Sequence, residues 1–214
     1  MTRVKICGIT RLDDALASLE AGAHALGFIF VQSSPRYITP DRASSIIRAL
    51  PPYVSTVGVF VNASRGQILT AIKVSRVSAI QLHGDESPDQ MSGYPCSVTK
   101  AFRVKEGFDP SIMEAYDVSA YLMDAYSPLA YGGSGMTFDW GIARALAGSR
   151  PLILSGGLTP ENVGAAIRVA HPYAVDVASG VEQSPGVKDE GKIRAFIAAV
   201  RSADERDAQE RSDE

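Results

Sequence analysis

Two residues stand out for proton chemistry. Cys7 ends the short apolar run Val4–Cys7, and Asp124 directly follows another, Ala120–Met123. A free thiol has a reference pKa of about 8.5, so some thiolate exists at neutral pH, and nearby helix N-termini would increase it. A carboxylic acid in a partly apolar strand-end site can keep its proton and act as a general acid. The bland alternatives are an inert core cysteine and an aspartate that caps a turn. Arg36, in Ser33-Ser34-Pro35-Arg36-Tyr37, suits bidentate contact with a carboxylate, or else is a solvated loop arginine. Gln81 and His83 bracket the end of a third run, with His83 either a substrate contact or a satisfied structural histidine. Asp176 ends a fourth run with Ser179 and Gly180 beyond it.

Glycine supplies a different chemistry. The runs Leu154-Ser155-Gly156-Gly157-Leu158-Thr159-Pro160 and Val175-Asp176-Val177-Ala178-Ser179-Gly180-Val181 each lead from an apolar strand toward a helix. Glycine lets backbone N–H groups approach an anion closely, and a helix N-terminus adds a favourable dipole. Tight turns alone would also use glycine, but two such turns at successive strand ends point to a phosphate site in these two loops. A nucleotide P-loop is not supported, because G-x-x-x-x-G-K-[ST] is missing.

The elements that must position these residues alternate along the chain. Strands are expected at Val4–Cys7, Ala25–Phe30, Thr56–Val61, Ala79–Leu82, Val98–Phe102, Ala120–Met123, Leu152–Leu154 and Ala174–Val177. Their near-continuous apolar character fits parallel strands buried on both faces. Helices are expected at Arg11–Glu20, Pro40–Leu50, Gly66–Val74, Pro88–Met91, Pro110–Tyr116, Trp140–Ala147, Pro160–Val169 and Asp189–Val200. Thr39 before Pro40 and Thr159 before Pro160 read as capped helix starts. Eight strand–helix pairs with right-handed crossovers favour an α/β fold, a single (β/α)8 TIM barrel, over a doubly wound sheet. All strand C-termini of such a barrel face one mouth, where the candidate residues fall. Residues 1–201 read as the barrel and 202–214 as a charged tail extending the last helix.

Composition narrows the partners. The chain has 214 residues, 45% apolar and 21% charged, as in ordinary globular proteins rather than disordered ones. The longest apolar stretch, Ala25 to Val31, has seven residues, whereas a membrane span needs about 20. Arg3 and Lys5 are followed by polar residues rather than a signal-peptide core, which points to a cytoplasmic protein. The net charge of -3 comes from the tail, whose two arginines meet six acids. The near-neutral body has no basic stripe, so nucleic acid is not an expected partner. Cys7 and Cys96 form no disulfide framework, and no His, Asp or Glu cluster has metal-ligand spacing. His24, His171 and Cys96 read as structural.

Lys5-Ile6-Cys7-Gly8-Ile9-Thr10 resembles the opening motif of the phosphoribosylanthranilate isomerase family. The resemblance continues through Gly27-Phe28-Ile29-Phe30, Ser34-Pro35-Arg36, Gly58-Val59-Phe60-Val61 and Gln81-Leu82-His83-Gly84. Further matches are Gly132-Gly133-Ser134-Gly135 with Phe138-Asp139-Trp140, Ser155-Gly156-Gly157-Leu158, Val175 to Glu182, and Gly186-Val187-Lys188-Asp189. The glycine segments are shared by many phosphate-binding barrels. The cysteine motif and the Ser-Pro-Arg loop are more specific. Ser134, Ser155 and Ala178 depart from the family's usual threonine, alanine and serine.

The resemblance implies an Amadori rearrangement of a small phosphosugar, N-(5-phospho-β-D-ribosyl)anthranilate, without metal or other cofactor. It implies Asp124 as general acid, Cys7 as general base, Arg36 as the anthranilate carboxylate contact, and Gly156, Gly157, Ser179 and Gly180 as the phosphate site. His83 and Asp176 would touch the sugar or ring. Barrels of this kind occur as monomer or homodimer. Rival readings are an indole-glycerol-phosphate synthase using Lys5, a metal-dependent ribulose-phosphate epimerase, a dual-substrate isomerase with aspartate at position 7, and a non-catalytic phosphate-binding barrel.

Overall fold

A computed structural model describes residues 1–105, 107–125, 140–144 and 150–212. Eight parallel strands close into a barrel in sequence order: β1 (Arg3–Cys7), β2 (Ala25–Ile29), β3 (Ser55–Phe60), β4 (Ala79–Leu82), β5 (Ser97–Val104), β6 (Ala120–Ala125), β7 (Leu152–Leu154) and β8 (Ala174–Val177). The closing pair is β8 against β1, which sets Asp176 directly beside Lys5. Helices α1 (Leu12–Ala21), α2 (Pro40–Ile47), α3 (Arg65–Ser75), α4 (Gly141–Arg144), α5 (Val163–Ala170) and α6 (Glu190–Ser212) lie between or after the strands. A short antiparallel hairpin, β9 (Glu182–Ser184) with β10 (Val187–Lys188), follows β8.

Strand alternation separates stability from chemistry. Val4, Ile6, Leu26, Phe28, Ile80, Leu82, Met123, Leu154 and Val175 are buried in one continuous apolar core with Ile193, Phe196 and Ile197 of α6. They occupy alternate strand positions, one face of a period of two. The other positions run in register around the barrel: Cys7 beside Gly27, Gly27 beside Val57, Val59 beside Gln81. The polar candidates therefore share a face that the core residues leave vacant.

The expected helices at Pro88–Met91 and Pro110–Tyr116 are not α-helices. They are 3₁₀ segments, Pro88–Met91 and Pro110–Ala115, too short to establish a continued α-helical ladder. Beside them Lys100 forms a buried ion pair with Glu86 at 2.8 Å and donates to the Gly84 carbonyl at 2.7 Å. The helix expected from Pro160 begins instead at Val163, because the Thr159 N–H is bound by the Asn162 side chain and residues 160–162 form a turn. Thr39 does cap α2, accepting from the Arg42 N–H. Ser134, the Gly132–Gly135 and Phe138-Asp139 motifs, and residues 145–147 of the expected sixth helix lie outside the described residues. Helix α6 runs unbroken past residue 201, and Asp204 accepts from both the N–H and the hydroxyl of Thr2.

Candidate active site

β1 brings Lys5 and Cys7 to one face, two residues apart on a strand whose intervening Ile6 is fully buried in the outer core. Gly27, alongside Cys7 on β2, makes room for them. A Cβ at this glycine would stand 2.6 Å from the Cys7 sulfur and 3.1 Å from Lys5 Cε. Both side chains are buried. The Lys5 ammonium donates to Asp176 Oδ1 at 2.9 Å and to Gln81 Oε1 at 3.0 Å. It also lies close enough to Cys7 to act on the thiol.

A hydrogen-bonded line continues across the barrel. Gln81 Nε2 lies 2.8 Å from His83 Nδ1, and His83 Nε2 lies 3.1 Å from Asp124 Oδ2. Gln81, His83 and Asp124 are all buried, each less than a tenth exposed. Cys7 and Asp124 thus sit on strands well apart in the ring but are joined through Lys5, Gln81 and His83. Asp176 is tied into the same system by Lys5. The structure brings together four of the residues singled out by sequence, and makes Lys5 and Gln81 the connections between them.

Electrostatics qualify the expectation for Cys7. Burial pushes its thiol above the ordinary cysteine value, with Lys5 and Lys188 pulling it down and Asp176 pushing it further up. The resting thiol is therefore protonated more firmly than in water, contrary to the expected increase in thiolate. For Lys5, burial disfavours the charge, but Asp176 and Cys7 carry its pKa above the ordinary lysine value.

Arg36 is not a solvated loop residue. Its guanidinium is gripped by Glu182, Nε 2.9 and 3.1 Å from the two carboxylate oxygens and Nη2 2.7 Å from one of them. Glu182 also accepts from Lys188 Nζ at 2.9 Å and from the Gly186 N–H at 3.2 Å. Burial opposes the charge on Glu182, yet Arg36 and Lys188 hold its carboxyl below the ordinary glutamate value. Gly8, at φ +79°, lets Arg36 cross the loop after Cys7; a Cβ there would stand 2.8 Å from Arg36 Cδ. Arg36 Nη1 has no hydrogen-bond partner among the described residues. Glu182 and Lys188 were not singled out by sequence as site residues. Their pairing needs the β9–β10 hairpin, whose turn glycine, Gly186, was the available signal.

The two glycine loops touch. A Cβ on Gly180 would collide with the Leu158 carbonyl and come within 3.2 Å of Thr159 Cα. Gly156 and Gly157 both adopt positive φ, +86° and +61°, where a side chain is strained. Their N–H groups donate to no acceptor among the described residues. Gly156 also presses on β6: its Cβ would stand 2.8 Å from Asp124 Oδ1. Ser179 and Gly180 open a 3₁₀ turn after β8. Among the described residues no group of three or more His, Cys, Asp or Glu could hold a metal ion. His24 accepts from the Val4 N–H, His171 pairs with Asp207 at 3.3 Å, and Cys96 is half-buried ahead of β5.

Comparison with known proteins adds chain-length matches. A family model described as N-(5'phosphoribosyl)anthranilate (PRA) isomerase matches residues 4–199. An N-(5'-phosphoribosyl)anthranilate isomerase of Geobacter sulfurreducens is 52% identical over 201 residues, covering 94% of this chain and 99% of that protein. The crystal structure of phosphoribosyl anthranilate isomerase from Thermus thermophilus superposes with a TM-score of 0.87 at 41% identity, covering 94% of this chain and 99% of the other. A second structure, 41% identical with a TM-score of 0.81, covers 94% of this chain and 100% of its own. It is a phosphoribosyl anthranilate isomerase in complex with reduced 1-(o-carboxyphenylamino)-1-deoxyribulose 5-phosphate.

Proposed function

Because the chain belongs to the N-(5'-phosphoribosyl)anthranilate isomerase family, we propose that Cys7 and Asp124 are the base and acid of its reaction. That reaction is the Amadori rearrangement of N-(5-phospho-β-D-ribosyl)anthranilate to 1-(2-carboxyphenylamino)-1-deoxy-D-ribulose 5-phosphate, a step of tryptophan biosynthesis. The observation that carries the assignment of roles is the buried line joining Cys7 to Asp124 through Lys5, Gln81 and His83.

Asp124 gives its proton to the furanose ring oxygen. The C1–O bond breaks, and the nitrogen lone pair forms the iminium. Cys7, as the thiolate left when its own proton has passed to solvent, takes the proton from C2, and the C–H electrons move into the iminium, giving a neutral enolamine. Loss of the C2 hydroxyl proton and gain of one at C1 give the ketone. The substrate's own nitrogen is the electron sink. Burial reduces the thiolate fraction at rest, and the Lys5 and Lys188 ammonium groups, joined by the iminium charge once substrate is bound, favour the thiolate that does this work.

Arg36 presents its remaining nitrogen to the anthranilate carboxylate, its plane fixed by Glu182. The phosphate lies on the N–H groups of Gly156, Gly157, Ser179 and Gly180, where the two loops meet. Asp176 and His83 border the sugar. The test generates substrate in situ from anthranilate and phosphoribosyl pyrophosphate and follows loss of its fluorescence. Cys7→Ser and Asp124→Asn are expected to keep substrate binding and lose turnover by about a hundredfold or more, the scale of general acid–base catalysis. Near-normal turnover in either variant removes that residue from the mechanism.

A further inference from the structure

Lys5, Gln81 and His83 make a line in which each hydrogen-bonding sense dictates the next. An ammonium only donates, so the Gln81 atom 3.0 Å from Lys5 Nζ must be the amide oxygen. The other end of the amide is then an NH2, a donor, 2.8 Å from His83 Nδ1. Nδ1 must accept, and the single proton of the neutral ring is left on Nε2. That Nε2–H faces Asp124 Oδ2 at 3.1 Å. Asp176, 2.9 Å from Lys5, keeps the ammonium in place at the head of the line.

We propose that Lys5 and Gln81 are positioning residues that fix His83 as the Nε2–H tautomer, so that His83 occupies Oδ2 of Asp124 and leaves Oδ1 to deliver the proton. The inference rests on Asp124 being the general acid. Hydrogen-bonding sense makes Oδ1 the delivering oxygen. Oδ2 already accepts the imidazole N–H, so a proton placed there would oppose a donor to a donor. Oδ1 packs so closely on Gly156 that a Cβ there would stand 2.8 Å from it, which fixes the carboxyl in this orientation. Sequence alone hides this relation, because Lys5 is 76 residues from Gln81 and reaches it only through the closed barrel.

The test is the ¹⁵N spectrum of the histidine rings, where the pattern of long-range couplings distinguishes the two neutral tautomers. The chain has three histidines, and the signals lost in His83→Asn identify the ring. In the unmodified protein His83 is expected to carry its proton on Nε2. A proton on Nδ1, or an even mixture, overturns the proposal and needs no variant to be folded. Gln81→Met keeps length and burial but removes the amide. Its His83 ring is expected to populate both tautomers, with kcat reduced about tenfold or more and KM little changed, as for other partners that orient a histidine. Gln81→Glu is expected to place a proton on Nδ1. A His83 that remains wholly Nε2–H in both variants would overturn the role of Gln81. Unchanged kcat with a scrambled tautomer would overturn the role of the tautomer in proton delivery. Because the ring is read without turnover, these failures differ from failure of Asp124 as the acid, which shows as normal turnover in Asp124→Asn.

Discussion

Replacing Lys5 by methionine separates what the ammonium does for stability from what it does for Cys7. Lys5 and Asp176 form an ion pair at 2.9 Å with side chains only 6% and 5% exposed. Removing one partner leaves a buried carboxylate without a counter-charge, which costs about 3–5 kcal/mol. For a chain of this size each kcal/mol lowers Tm by about 2–4 °C, so Lys5→Met is expected to melt roughly 6–20 °C below the parent. Adding Asp176→Asn removes the stranded charge, and the double variant is expected to recover more than half of that loss.

Activity follows a different order. Lys5 lowers the Cys7 pKa, and Asp176 raises it by a smaller effect. A base must be deprotonated, so the rising acidic limb of kcat moves to higher pH as the thiol is pushed up. The limb is expected to be most alkaline in Lys5→Met, intermediate in the double variant, and lowest in the parent. Thermal melts followed by circular dichroism, and substrate fluorescence across pH, test the two effects separately. A Tm change below about 3 °C would refute the buried-pair argument, since the smallest cost above corresponds to twice that. An unmoved acidic limb in a folded Lys5→Met protein would refute the coupling of Lys5 to the thiol.

Glu182→Gln weakens the grip on Arg36 without emptying the space, and KM for the substrate is expected to rise about tenfold, a loss of about 1.4 kcal/mol, with kcat changed less; a collapsed kcat at constant KM would contradict a binding role. The same carboxylate gives a pH test. Its pKa is held below the ordinary value of 4.5, so its stabilisation is present above that pH and lost as pH falls through the depressed value. Urea midpoints are therefore expected to fall on the acid side of 4.5 more steeply in the parent than in Glu182→Gln, and parallel curves would rule this out. Gly156→Ala forces a side chain into φ +86°, onto the Ala125 backbone nitrogen and 2.8 Å from Asp124 Oδ1, so a cost above the backbone conformation's own, about 1–2 kcal/mol, and loss of most turnover are expected. Normal turnover in that variant would show that the acid does not depend on this close approach.

The barrel was legible because the outward strand residues, such as Val4, Ile6, Leu26 and Phe28, produce the short apolar runs that sequence reading detects. Cys7, His83, Asp124 and Asp176 were legible as polar interruptions at the ends of those runs. The partnerships were not. Lys5 reaches Asp176 only because β8 closes against β1, and Arg36 reaches Glu182 across 146 positions of sequence. No local pattern encodes such a distance. The two 3₁₀ connections were read as helices because proline and a polar first turn mark either kind of start, while only continued propagation makes an α-helix. At Asn162 a side-chain contact to the Thr159 N–H delayed the start of α5 by three residues, a competition that propensity does not resolve.

The same alternation explains why a thiol suits the position it occupies. The inward face at the mouth already holds the carboxylate of Asp176 and the ammonium of Lys5, and Lys188 lies close enough to act on Cys7. A carboxylate at position 7 would stand as a second permanent anion beside Asp176, and would have to share the stabilisation Lys5 provides. A protonated thiol adds no charge to the resting cluster. On the proposed mechanism its proton passes to solvent and the thiolate is favoured once substrate brings the iminium, so the charge that burial disfavours in the empty site arises next to one of opposite sign. Gly27 completes the arrangement by leaving room for sulfur and ammonium together. On the proposed roles Cys7 is quiet by virtue of its burial and active by virtue of its substrate, which requires Lys5 to neutralise Asp176 before the reaction begins.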